Sequence, residues 1–290
     1  MPESVLLKPR DFELLKGLFE SRVMTLSHVA SLFFEGRDEA AKKRVQKLKA
    51  GGFIAERPRR VNEPGMLFLT RKAFNALQAE GLLSEFPKCS EATFEKRVTI
   101  SPLTLRHELD VLDVKAALVS AIQKTQRFKV AEFCTWPLLH SFEATHPKTK
   151  TSVTVKPDGF VRVHETEPDG ELSEHTFFLE VDRSTESQEI LAAKAHCYLD
   201  YYRTGGFAVS CGGDRSAFKE YPFRVLIICK SEERRDNAAK RLLENKPPIL
   251  TQVWFTTMAE IVENSLGCIW TRPADYGTNE ISGRMNLFRQ

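Results

Sequence analysis

The run FFLEVDRSTES, Phe177 to Ser187, constrains this chain more than any other stretch. It starts as an apolar, strand-like segment and ends in Glu180, Val181 and Asp182, with no lysine between the acids. Side chains alternate across a strand, so Phe177, Leu179 and Val181 face one way while Glu180 and Asp182 face the other. Two carboxylates at the end of a central strand repel strongly unless a cation or a proton relieves them.

The neighbouring patterns supply a sheet. Leu105–Gln123 carries Leu109, Leu112, Ala116 and Val119 on one helical stripe. Phe128–Thr135, Ser152–Val163 and Thr176–Asp182 read as strands, the last two joined by a Pro-Asp-Gly turn that predicts a hairpin. A helix is expected over Ser187–Tyr202, a buried strand over Phe223–Cys229, a helix over Glu232–Asn245 and a short strand over Thr251–Phe255. Three successive strands before the crossover helix predict a mixed α/β (α+β) sheet flanked by helices, not a doubly wound nucleotide fold. No GxGxxG or GxxxxGK[ST] occurs, and Gly205–Gly206 and Gly212–Gly213 read as turn glycines.

The amino-terminal third has a different grammar. Two short helical patterns fill Asp11–Phe34, the second opening at Thr25 as N-cap. A third, from Asp38, stops at Gly51–Gly52. Strand-like Phe53–Arg60 and Met66–Thr70 follow, then a helix from Arg71 to about Ala79. Three helices followed by a two-stranded ribbon is the order of a winged helix-turn-helix. On the third helix Ala41, Val45 and Leu48 form the inward stripe, which puts Lys43, Gln46 and Lys47 opposite, flanked by Lys42 and Lys49. Such a face suits a major groove, with lysines on phosphates or guanine edges and Gln46 on adenine. Arg57, Arg59 and Arg60 on the ribbon suit the adjoining backbone. The bland alternative is a solvated helix face.

Charge distribution agrees. The net charge is only +3, yet residues 1–80 carry 15 Lys and Arg against 10 Asp and Glu. Basic character confined to one segment points to a polyanion partner, double-stranded DNA, for that segment. Gly81–Thr99 mixes Pro, Ser and charge without periodicity and reads as a connector, with a short strand near Arg97–Ile100. The expected organisation is a DNA-binding domain over 1–85, a linker over 86–100 and a larger domain over 101–290 with a carboxyl-terminal extension. Hydrophobic residues at 42% and charged residues at 28% are ordinary for a globular protein. The six scattered cysteines form no CxxC pair, and neither an export signal nor a membrane-length apolar run is evident, so a cytoplasmic location with no membrane partner is expected.

Asp158, in KPDG, follows Pro157 at a strand end; if its strand pairs with Thr176–Asp182, Asp158 lies beside Glu180. Hard oxygen ligands of this kind, Asp158 and Glu180 with Asp182 nearby, suit Mg²⁺ or Mn²⁺. A metal there positions a water and stabilises charge on an attacked phosphodiester. These motifs resemble the PD-(D/E)xK motif of restriction-endonuclease-like nucleases. The resemblance implies that Asp158 and Glu180 bind metal and that a lysine two residues later helps activate water; here Asp182 takes that place. It also implies a helical glutamate, loosely matched by Glu108, and allows a lysine displaced to the next helix, for which Lys194 stands on a face with Ile190, Tyr198 and Tyr201. The plain reading of Lys194 is snorkelling, or pairing with Glu180 or Asp182 for structure. His107 reads as a cap or surface residue before a helix more readily than as a base. Arg183, Ser184, Thr185 and Glu186 read as turn and helix cap.

More narrowly, the winged-helix pattern, HELDVLD (His107–Asp113), KPDGF (Lys156–Phe160) and FLEVDRSTES with Lys194 and Tyr198 resemble the replication-relaxation family, from about residue 10 to about residue 230. That implies a role in plasmid or mobile-element replication or transfer, with replication or transfer proteins as partners. Two functions remain open: a metal-dependent endonuclease or nickase, and a non-catalytic transcriptional or replication regulator using a degenerate nuclease fold for dimerisation or DNA contact. A ligand-sensing regulator fits the architecture without residue-level support. A homodimer is a fold-level expectation.

Overall fold

The computed structural model describes residues 5–58, 63–184, 186–276 and 284–288. The chain divides into two compact units, residues 1–120 and 121–290. The divide falls at residue 120, inside a helix that begins at Pro102.

Unit one runs α1 (Pro9–Ser21), β1 (Met24–Thr25), α2 (Leu26–Phe33), α3 (Asp38–Ala50), β2 (Ile54–Glu56), β3 (Met66–Leu69), α4 (Arg71–Ala79), α5 (Glu91–Val98) and α6 (Pro102–Gln123), whose last residues enter unit two. The short strands form an antiparallel sheet in the order β1-β3-β2. Thr25 caps α2 as its sequence predicts: its hydroxyl accepts the His28 N–H at 3.3 Å. The His28 ring returns the bond, Nδ1 accepting the Thr25 N–H at 3.2 Å, which leaves Nε2 to donate to Asp113 at 2.8 Å. Leu14, Leu15 and Leu18 of α1 are buried, as are Val29, Val45, Leu48 and Phe74 on the following helices.

The connector is not structureless. Ser90 caps α5, accepting the Thr93 N–H at 3.2 Å. Phe94 stacks on Phe74 at 4.5 Å, and Phe19 meets Phe74 at 5.8 Å and Phe86 at 5.2 Å. Aromatic pairs of this kind each add about 1 kcal/mol beyond their buried area. Arg97, expected near a strand, lies on α5 and donates to the Phe19 carbonyl at 3.2 Å.

Unit two continues with β4 (Phe128–Cys134), β5 (Phe142–Thr145), β6 (Ser152–Val155), β7 (Gly159–Thr166), β8 (Leu172–Asp182), α7 (Gln188–Arg203), α8 (Gly206–Ser210), β9 (Arg224–Cys229), α9 (Glu232–Leu243), β10 (Val253–Thr257) and α10 (Met258–Asn264). The main sheet is ordered β10-β9-β8-β7-β4. β4, β7 and β8 pair antiparallel, whereas β8, β9 and β10 pair parallel, giving the mixed sheet read from the strand order. One expected strand, Ser152–Val163, is in fact two. Lys156, Pro157 and Asp158 lie between β6 and β7, and β6 leaves the main sheet to form a separate hairpin with β5. Proline has no N–H to offer a ladder, so the break falls where the chain cannot pair. Phe178, Tyr198, Val225, Ile227, Ala238 and Leu242 belong to the core between sheet and helices α7 and α9. Gly205 has φ +70°, and a Cβ there would meet the Arg215 carbonyl oxygen at 2.3 Å, so glycine is required.

Candidate functional site

In unit two, the hairpin register brings the two motif acids together. The Asp158 N–H donates to the Leu179 carbonyl at 2.9 Å, and Asp158 Oδ2 accepts the Val181 N–H at 2.8 Å. These two bonds clamp Asp158 against the backbone on either side of Glu180. Glu180 itself is buried, 7% exposed, on the strand face shared with Phe178. Its Oε1 accepts the Tyr198 hydroxyl at 2.5 Å, and its Oε2 accepts Lys194 Nζ. Lys194 and Tyr198 are four residues apart on α7, so one helical face delivers both groups.

Electrostatics follow from counting charges. Burial pushes the Glu180 carboxyl up to about 7; Lys194 pulls it down and the negative charge of Asp158 pushes it up again. Burial works against the Lys194 ammonium, but attraction to Glu180 and Asp158 outweighs it and holds the group well above its ordinary value. The two directions are consistent: one ammonium faces two acids and stays charged, while burial keeps the Glu180 carboxyl raised despite it. Tyr198 is likewise held well above the usual phenol value, by burial and then by Glu180.

Asp182, next on the same strand face, is held differently. Its Oδ2 accepts Arg234 Nε at 2.6 Å, and its Oδ1 accepts Arg234 Nη2 at 3.3 Å and the Ser184 N–H at 2.9 Å. The residue in the motif-lysine place thus anchors α9 to β8. Ser187, rather than the residues before it, caps α7, accepting the Ile190 N–H at 3.3 Å; Thr185 lies outside the described residues.

Beside Lys194 opens a cleft of about 610 Å³, lined among others by His146, Lys148, Lys156, Glu186, Ile190 and Lys194. Lys148 and Lys156 are exposed and make no ion pair among the described residues. The β5–β6 hairpin that forms this wall went unread in the sequence. Its signal was present: Phe142 and Ala144, then Val153 and Val155, alternate on either side of a His-Pro-Lys turn. Phe142 stacks on Tyr201 at 3.9 Å, which ties the hairpin to α7.

Among the described residues no group of three His, Cys, Asp or Glu side chains is placed to hold a metal ion. Mg²⁺ needs no such cage: it keeps several waters and takes one or two carboxylates together with substrate phosphates. Asp158 and Glu180, adjacent across the β7–β8 pairing and next to the cleft-lining Lys194, are of the hard-oxygen kind that such a cation takes.

In unit one, α3 has the predicted faces. Ala41, Val45 and Leu48 are buried, whereas Lys42, Lys43, Gln46 and Lys47 are exposed. Lys49 is half-buried and pairs with Glu56, and Lys42 lies 3.8 Å from Glu39. Arg44, on the flank, is committed to the buried Asp11. Arg57 is turned inward, over the Phe68 ring at 5.5 Å and donating to the Ile100 carbonyl at 3.3 Å. Arg59 and Arg60 lie outside the described residues.

The HELDVLD segment is spent on unit one. Glu108 lies 3.4 Å from Arg22, and Asp113 accepts from His28. Lys115, just beyond, pairs with Glu20 at 3.1 Å. His107, expected before a helix, is half-buried inside α6. Glu108 thus belongs to unit one, and Asp158 and Glu180 to unit two.

No helix among the described residues is long and apolar enough to cross a membrane. No curated protein and no solved structure matches the chain. The replication-relaxation family model matches residues 15–212, which carries the α3 face, the KPDG acid, the β8 acids and Lys194. With well over half of its length matched, the chain belongs to the replication-relaxation family.

Proposed function

We propose that this protein binds duplex DNA through the exposed face of α3, as a winged helix, and nicks a DNA strand at a Mg²⁺- or Mn²⁺-dependent site built on Asp158 and Glu180. Family membership supports the broader part, a role in replication or relaxation with DNA and replication-related partners. One observation carries the finer part: Lys194 Nζ sits on Glu180 while Asp158 acts on both, so α7 returns the lysine that the strand lacks.

Each residue then has a task. Asp158 and Glu180 would hold the cation, which when bound supplies Lewis-acid stabilisation and an activated water. Glu180 must shed a proton from its carboxyl before it can ligate, and its value near 7 places that step at neutral pH. Lys194, held charged by Glu180 and Asp158, would place a positive charge near an attacked phosphate. Lys148 and Lys156 on the cleft wall attract the DNA backbone. On α3, Lys43 and Lys47 contact phosphates and Gln46 reads base edges.

A second reading rests on the same contacts: both Glu180 oxygens are satisfied by Lys194 and Tyr198, as in a retired site that only braces the sheet. Supercoiled plasmid incubated with Mg²⁺ or Mn²⁺ separates the two. Nicking by wild type and its loss in Glu180→Gln support the proposal. Absence of nicking in both, with DNA binding intact, supports the second reading.

A further inference from the structure

A separate pocket of about 540 Å³ lies in unit two where β9 and β10 begin. Its wall includes Arg203, Arg224, Arg272, Gln252, Thr176 and Trp254. Thr176 stands four residues before Glu180 on β8, roughly 13 Å along the strand, and Arg224 opens β9 whereas Asp182 pairs with Cys229 at its end. The pocket is therefore at the other end of the parallel strands from the acid pair.

Its charges are unbalanced. Arg272 is bound by Asp275, with Nη2 donating to Oδ1 at 2.8 Å. The acid in the wall, Glu174, is taken by Arg162 at 3.3 Å and His164 at 3.4 Å. Among the described residues, Arg203 and Arg224 have no acidic partner. Arg224 lies over the Trp254 indole at 4.6 Å and donates to the Leu287 carbonyl at 3.4 Å. Burial, and then the nearby Arg272, pull its guanidinium below the ordinary value. The Gln252 side chain adds a second imbalance: both Nε2 and Oε1 are buried without a partner among the described residues. A buried amide left unpaired is costly, so a ligand that completes both groups is favoured.

We propose that this arginine pocket binds a phosphate-bearing ligand of mononucleotide size. A phosphate monoester carries about −1.5 to −2 charge near neutrality, enough for two uncompensated guanidinium groups, whereas a carboxylate carries one charge. Arginine forks match phosphate oxygens in pairs. The Gln252 amide offers a donor and an acceptor together, which a base edge or a sugar hydroxyl completes and inorganic phosphate does not. The volume lies within the range of small-ligand sites.

Calorimetry on the full chain tests this with inorganic phosphate and with each of the four deoxynucleoside monophosphates. Arg203 is exposed and has no acidic partner among the described residues, so Arg203→Ala leaves folding intact; it is expected to weaken nucleotide binding by about tenfold. Gln252→Leu is expected to erase the preference for a nucleotide over inorganic phosphate. A repeat with saturating 5′-phosphorylated duplex distinguishes the source: nucleotide binding that persists assigns a free nucleotide, and displacement assigns a terminal DNA phosphate to the same pocket. No heat with any of the five ligands, or equal affinities in wild type and both variants, overturns the proposal.

Discussion

The acid pair gives unit two a stability that depends on pH in an unusual direction. A carboxyl at about 7 when folded and at 4.5 ordinarily binds its proton more tightly in the folded state. The stability it contributes is fully present below the unfolded value and is lost as pH rises through the folded one. That gap corresponds to about 3 kcal/mol, lost between about pH 4.5 and about pH 7.5. Lys194 adds no slope in this window, because its elevated folded value matters only above the ordinary lysine range. Glu180→Gln keeps the shape and an oxygen for Tyr198 but cannot ionise. Trp136, Trp254 and Trp270 are the chain's three tryptophans and all lie in unit two, so their fluorescence in urea reports this unit. The difference between wild-type and Glu180→Gln stability should shift by about 2.5 kcal/mol from about pH 5 to about pH 8, with wild type losing ground as pH rises. Parallel profiles for the two proteins would refute the claim that burial and Asp158 raise Glu180.

Other consequences are independent of that titration. Lys43→Ala with Lys47→Ala should weaken duplex binding and shallow the plot of log affinity against log salt by about 2, from fluorescence anisotropy across salt concentrations. Asp182→Asn strands the largely buried Arg234, so thermal unfolding should show a loss of about 3 kcal/mol, while Mn²⁺ affinity stays unchanged. Tyr198→Phe removes a hydrogen bond that favours ionised Glu180; the pH midpoint of Mn²⁺ binding, followed by calorimetry, should move upward.

The parts of this molecule legible in the sequence are those whose geometry is local or set by a single hairpin. The α3 faces follow from helical rotation, and the α2 cap from one threonine. The meeting of Asp158 with Glu180 needs only β7 and β8 to pair across the Pro-Asp-Gly turn. What escaped the sequence is set at longer range. Arg234 reaches Asp182 because α9 packs beside β8, which no spacing reveals. The polar run before Phe94 looked like linker because one aromatic residue carries its packing onto Phe74. Ser152–Val163 read as one strand because apolar alternation resumes after Pro157 with no sign that the two halves serve different sheets.

The central claim is that Asp158 and Glu180 form one cation site with Lys194 as its resident counter-charge. Titrating Mn²⁺ into the wild-type chain and into Asp158→Ala tests it most directly. The account predicts saturable binding by wild type that strengthens as pH rises through about 7 and disappears in the variant. No binding by wild type, or binding that survives Asp158→Ala, would contradict it.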